Sequence, residues 1–217
     1  MQSSSDQRPG SLVVLGASYA GGWDLNAVGP TPVIVRGAPG EQSFEMLARF
    51  ERDVVAARPR AVLIWGFIND ISRSGLQNMD AVTARIRDSY TQMIGLARKN
   101  GIEPILATEV TLRQKAGFTE TIASWAGWMM GKTSYQDRVN EHVMANNRWL
   151  TELAKRENLL MLDFQAALAE NGVGRRREFA KEDGSHIPPA GYAALTAYAT
   201  PILQNHLRGR AASDSPR

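Results

Sequence analysis

Five short apolar runs divide the chain, and each stops at glycine or at a polar turn. They are Leu12–Leu15 before Gly16, Pro32–Arg36 before Gly37, Ala61–Trp65 before Gly66, Pro104–Thr108, and Leu159–Leu162. Such runs predict buried strands. Ala61–Trp65 is the most continuously apolar, as a central parallel strand covered on both faces should be. The stretches between them repeat with helical period. A helix is expected over 43–57, with Phe44, Leu47, Val54 and Val55 on its apolar face and Pro59 closing it. A second is expected over 79–98, carrying Val82, Ile86, Tyr90, Met93, Ile94 and Ala97, with Asn100-Gly101 ending it. A third covers 135–157, with Val139, Val143, Leu150 and Leu153 inward, and a short one covers 164–170. The last begins at Pro188 or Pro189, where proline is tolerated, and ends near Leu207. Strands alternating with helices predict an α/β protein: a three-layer α/β/α sandwich around a five-stranded parallel sheet. One domain is expected over 11–207, with 1–10 and 208–217 as flexible ends.

Composition narrows the classes. Of 217 residues, 43% are hydrophobic and 22% charged, which fits a globular protein. The net charge is +3 with scattered basic residues, so a nucleic-acid partner is not implied. There is no cysteine, which excludes disulfides, thiolate metal sites and a cysteine nucleophile. No apolar run reaches membrane-spanning length. The polar first residues lack the core of a secretion signal. That leaves a cytoplasmic protein and a trimmed periplasmic or secreted one both open, and oligomeric state is equally open.

In an open parallel sheet, ligands bind at the carboxyl ends of the strands. The loops at that edge carry Ser18 after the first strand, Gly40 after the second and Asn69 after the third. Near the C-terminus stands Asp183-Gly184-Ser185-His186. A hydrolase needs a nucleophile, a base, an orienting acid and oxyanion donors. Ser18 can attack, His186 can take its proton, and Asp183 lies close enough in sequence to orient the imidazole. Gly40 lets a backbone N–H approach a substrate oxygen, and Asn69 offers side-chain N–H groups. Each residue also has a plain structural reading: Ser18, Gly40 and Asp183-Gly184 as turn residues, Asn69-Asp70 as a helix cap. Their occurrence together, in this order, favours chemistry. Of the other histidines, His142 falls within a helix and His206 near a helix end.

With these residues in place the sequence resembles the SGNH hydrolase superfamily, the GDSL-type esterases and lipases. Gly16-Ala17-Ser18 matches the first block, Arg36-Gly37-Ala38-Pro39-Gly40-Glu41 the second, Gly66-Phe67-Ile68-Asn69-Asp70 the third and Asp183-Gly184-Ser185-His186 the last. The resemblance implies the flavodoxin-like fold with strand order 2-1-3-4-5. It implies ester or thioester hydrolysis without metal or organic cofactor: Ser18 as nucleophile, His186 as base, Asp183 as acid, and an oxyanion hole of Ser18, Gly40 and Asn69. Two departures stand out. Ala17 occupies the usual aspartate position, and Phe67-Ile68 fattens the third block. The α/β-hydrolase elbow Gly-x-Ser-x-Gly fits less well, because Gly16 to Gly21 is one residue too long and the serine follows the first strand.

Tyr19, Trp23, Phe67, Trp125 and Trp128 are candidates for lining the substrate pocket, with ordinary packing as the other reading. Nothing among them indicates a long lipid tunnel, so small or short-chain esters are expected, O-acetyl groups on carbohydrates among them. Arg175-Arg176-Arg177 reads either as a solvated basic patch or as a clamp for an anionic substrate group. Two other functions stay open: an inactive binding domain on the same fold, supported by Ala17, and acyl transfer or thioester hydrolysis at the same site.

Overall fold

A computed structural model of the protein describes residues 10–113, 134–170 and 174–213. The sheet is built on β1 (Leu12–Gly16), which pairs in parallel with β3 (Thr31–Gly37) on one side and β4 (Ala61–Trp65) on the other. β5 (Glu103–Ala107) and β6 (Met161–Leu162) extend it, again in parallel. A two-residue strand, β2 (Ala27–Val28), pairs antiparallel with β3 at the edge. The order is therefore β2-β3-β1-β4-β5-β6. The parallel strands follow the order inferred from the resemblance, and the sheet has six strands, not five. The extra one escapes a periodicity reading because a two-residue segment before Gly29-Pro30 carries no measurable alternation.

Every residue of β1 and β4 is buried, as expected for central strands with helices on both faces. The register aligns Gly16 with Gly37 on one side and with Trp65 on the other. Three strands thus end level with one another, and the loops that follow them open at one edge.

The helices are α1 (Ser18–Gly21), α2 (Ser43–Ala48), α3 (Phe50–Asp53), α4 (Ile68–Arg73), α5 (Met79–Lys99), α6 (Tyr135–Glu157), α7 (Phe164–Leu168) and α8 (Pro189–Ser213). The expected helix over 43–57 is broken at Arg49, which belongs to neither α2 nor α3. Its large buried apolar residues are Met46, Phe50 and Val54, spaced four apart, while Phe44 is exposed. The expected helix over 164–170 stops at Leu168, because Ala169–Glu170 (β7) pairs antiparallel with Gly174–Arg175 (β8). α8 continues past Leu207 to Ser213. α6 has the bounds that the pattern predicts, opened by a Ser134–Asp137 capping box.

Candidate active site

The turn after β1 carries Ser18 as the first residue of α1. A side chain at Gly16 would strike the Trp65 carbonyl and the Ala20 side chain, so only glycine lets β1 lie this close to β4. Tyr19 and Ala20 turn inward and leave Ser18 half-buried at the edge. Beneath them the rings of Trp23, Trp65 and Phe164 meet edge to face, with centroids 4.8–6.0 Å apart. Trp23 also donates to the Thr196 hydroxyl at 2.9 Å. Among the described residues neither the N–H nor the hydroxyl of Ser18 has a hydrogen-bond partner.

The loop after β3 brings Gly40 alongside, with φ at +80°, a conformation that favours glycine. Its carbonyl accepts from Arg73 at 2.9 Å, and no acceptor among the described residues takes its N–H. Asn69, in the first turn of α4, donates one amide N–H to the Glu41 carbonyl at 2.8 Å. The amide carries a second hydrogen that this bond does not use. Asp70 does not cap its own helix. It is wholly buried and accepts from the Ser43 N–H at 2.7 Å and hydroxyl at 2.9 Å, tying α4 to the start of α2. Arg49, at the break between α2 and α3, donates to the Gly16 and Arg36 carbonyls, each at 3.0 Å, and to Glu41 at 2.6 Å.

Glu109, just beyond β5, supports the third block from below. Its buried carboxylate accepts from the Phe67 N–H at 2.6 Å and the Ile68 N–H at 3.0 Å. Burial pushes its carboxyl above the usual range, against the pull of the Phe67, Ile68 and Val110 N–H groups and of Arg175. Phe67 packs edge-on against Tyr90, whose hydroxyl accepts from the Gly66 N–H at 3.1 Å. The bulk of Phe67-Ile68 is thus absorbed in the core, and Asn69 stays at the sheet edge. Asn147 holds the Glu109 backbone in both directions at 2.8 Å, and Asn140 does the same for Leu112.

The last element is the loop before α8. Asp183 Oδ2 meets His186 Nδ1 at 2.7 Å, while Oδ1 accepts from the N–H groups of Ser185 and His186. Residual burial would raise the Asp183 carboxyl; the His186 and Ser185 donors outweigh it and hold the group well below the usual range. Other carboxylates are occupied: Asp70 with Ser43, and Asp163 with Thr108 and the N-terminus of α7. His186 Nε2 has no partner among the described residues, Ser18 included. Nucleophile–base bonds are often loose until substrate binds.

A sequence model of the GDSL-like Lipase/Acylhydrolase family matches residues 15–194. The chain belongs to this family. No curated protein matches the sequence. Its fold is similar to that of several crystal structures: a GDSL-like lipase from Bacteroides thetaiotaomicron (21% identity, TM-score 0.68, covering 90% of this chain and 88% of that one); Axe2, an acetylxylan esterase from Geobacillus stearothermophilus (20%, 0.66, 88% and 93%); and the lipase/acylhydrolase from Enterococcus faecalis (21%, 0.63, 91% and 96%).

For this GDSL-family chain the candidate pocket residues need correction. Tyr19, Trp23 and Phe67 are 5%, 2% and 2% exposed and serve as core packing, not as pocket walls. Trp125 and Trp128 lie outside the described residues. Arg175 is neither solvated nor free for an anion: it is 4% exposed, with donors spent on Thr111, Ser185 and Tyr19. Arg176 and Arg177 are exposed. Glu109, Arg49 and Arg175 are the supports that the sequence reading missed. The one available signal was a glutamate directly after an apolar strand, Ala107-Thr108-Glu109-Val110. No helix among the described residues is long and apolar enough to cross a membrane.

Proposed function

We propose that this GDSL-family acylhydrolase is a serine esterase acting on carboxylic esters with small or short acyl groups. Ser18 attacks the ester carbonyl while His186 Nε2 takes its proton. Asp183 fixes the imidazole through Nδ1 and stabilises the imidazolium. The alcohol leaves with the proton from His186, and water, activated by the same imidazole, releases the acid from the acyl-enzyme. The N–H groups of Ser18 and Gly40, unengaged among the described residues, and the second N–H of Asn69 meet the oxyanion. The observation that carries this reading is the Asp183–His186 pair at 2.7 Å, with the outer ring nitrogen unengaged among the described residues. O-acetyl groups on carbohydrates belong to the proposed substrate class, in keeping with the acetylxylan esterase among the similar folds.

The test is turnover of acetyl, butyryl and aryl esters, acetylated sugars included, by the wild type and by Ser18→Ala. Turnover abolished by Ser18→Ala is expected. No turnover of any ester by the wild type would favour an inactive binding domain, and turnover surviving in Ser18→Ala would reject the serine mechanism. Product analysis with a competing acceptor alcohol separates hydrolysis from acyl transfer.

A further inference from the structure

Asp183 and His186 are about half exposed, with side-chain accessibilities of 48% and 52%, so packing does little to hold them. Their loop closes on itself through Asp183. It still needs fixing to the body of the protein. One fixture is the Ser185 carbonyl, part of the same peptide group as the His186 N–H. It accepts from the Tyr19 hydroxyl at 2.6 Å and from Arg175 Nη1 at 2.6 Å.

Both donors come from buried side chains anchored elsewhere. Tyr19 follows Ser18 directly, and its own carbonyl accepts from the Tyr192 hydroxyl at 3.0 Å. Arg175 Nη2 donates to the Tyr19 hydroxyl at 2.8 Å, and its Nε donates to the Thr111 carbonyl at 2.9 Å. The guanidinium also lies over the Tyr19 ring, 5.2 Å from its centroid. The named acceptors are all neutral, and no carboxylate among the described residues pairs with Arg175 within 4 Å. A buried arginine without a contacting carboxylate is an expensive way to fill space. Its forked geometry, however, suits three acceptors that must be held at fixed angles.

We propose that Arg175 and Tyr19 are positioning residues that fix the peptide plane of His186 relative to the turn carrying Ser18, and so set the aim of the base at the nucleophile. The inference rests on the serine–histidine reading above. Tyr19 connects the two reacting groups covalently on one side and by hydrogen bond on the other. Arg175 locks Tyr19 and Ser185 to the Thr111 carbonyl, in the segment that follows β5. Misaiming a reacting group by about 1 Å is enough to lower the rate about 10²-fold.

The test is steady-state hydrolysis of p-nitrophenyl acetate by Arg175→Met, Arg175→Lys, Tyr19→Phe and Ser18→Ala. Rates are expressed per folded molecule, well below each variant's melting temperature. Arg175→Met should lose about 30- to 100-fold in kcat with KM within about threefold of wild type, because the defect lies in the reacting groups and not in substrate binding. Arg175→Lys should recover part of the loss, and Tyr19→Phe should lose about tenfold. A kcat within about threefold of wild type for Arg175→Met, or a loss confined to KM, would overturn the proposal. If Arg175→Met does not fold, unchanged kcat in both Arg175→Lys and Tyr19→Phe would overturn it equally. Ser18→Ala separates the two readings. Turnover surviving there removes the serine mechanism itself. An inert Ser18→Ala beside a fully active Arg175→Met removes only the positioning role.

Discussion

Ser18, Gly40 and Asn69 stand on strand ends braced from below, whereas Asp183 and His186 stand on a half-exposed loop braced from behind. On the first side the register of β1, β3 and β4 puts the loops level, and Arg49, Asp70 and Glu109 lie buried beneath them. On the second side the acid–base pair is held by bonds within its own loop, by the Ser185 carbonyl gripped from the core, and by the Gly184 carbonyl, which accepts from the Arg113 N–H at 2.9 Å. The difference matches what each side is proposed to do. Oxyanion donors must not move as charge develops, so they sit on a rigid, desolvated frame. The base must exchange protons with substrate and water, so it keeps an accessible ring nitrogen. Rigidity comes from the core on one side and from local hydrogen bonds on the other.

The largest effect is expected on the braced side. Asn69→Ala should lower kcat by about 10²–10³ with little change in KM, as removal of an oxyanion donor does elsewhere. Asn69→Asp should be worse, because it puts an acceptor where a donor is needed. Near-wild-type kcat for Asn69→Ala would mean that this amide only ties α4 to the Glu41 carbonyl.

Stability against pH should separate the two sides by sign. Glu109 has its carboxyl raised in the folded protein, chiefly by burial. The folded state therefore holds that proton more tightly than the unfolded one. Its contribution is fullest below about pH 4, the ordinary glutamate value, and is lost as pH rises through the raised value. Asp183 is shifted the other way, so its contribution is present above about pH 4 and is lost as pH falls. Denaturant midpoints between pH 3 and 8 check both. The wild type should lose ground to Glu109→Gln as pH rises and to Asp183→Asn as pH falls. The Asp183 effect should stay below about 1 kcal/mol, since the group is half exposed. Parallel pH slopes for the two variants would mean that the carboxylates do not sit in contrasting environments.

The smallest effect is expected at Arg176 and Arg177, which are exposed next to the buried Arg175. Reversing both charges should change KM by less than about twofold for neutral esters. If these side chains do meet an anionic group, KM for anionic esters alone should rise.

The parallel strands and the chemistry-bearing loops were legible because each is written locally; the sheet order followed from the family resemblance. An apolar run ending at glycine marks Ser18, and a four-residue turn holds both Asp183 and His186. The supports were not legible because they act across the chain. Glu109 meets Phe67 and Ile68 from some forty residues away, and Arg175 reaches Tyr19 from 156 residues away. No local pattern distinguishes these charges from solvated ones; Arg175 even stands in a run of three arginines. The aromatic residues near Ser18 misled in the opposite direction. Tyr19 and Trp23 lie near Ser18 in sequence, yet both side chains are buried in the core, Tyr19 from α1 and Trp23 from just beyond it.

The most direct measurement is the intact mass of the protein after exposure to a fluorophosphonate, followed by peptide mapping. The serine oxygen attacks its phosphorus and fluoride leaves, a reaction that needs a serine activated by a neighbouring base. One adduct on the peptide containing Ser18 is expected, absent in Ser18→Ala and slowed by at least about 10²-fold in His186→Ala. No adduct, or an adduct on another serine, would contradict the claim that Ser18 and His186 form the working centre of this protein.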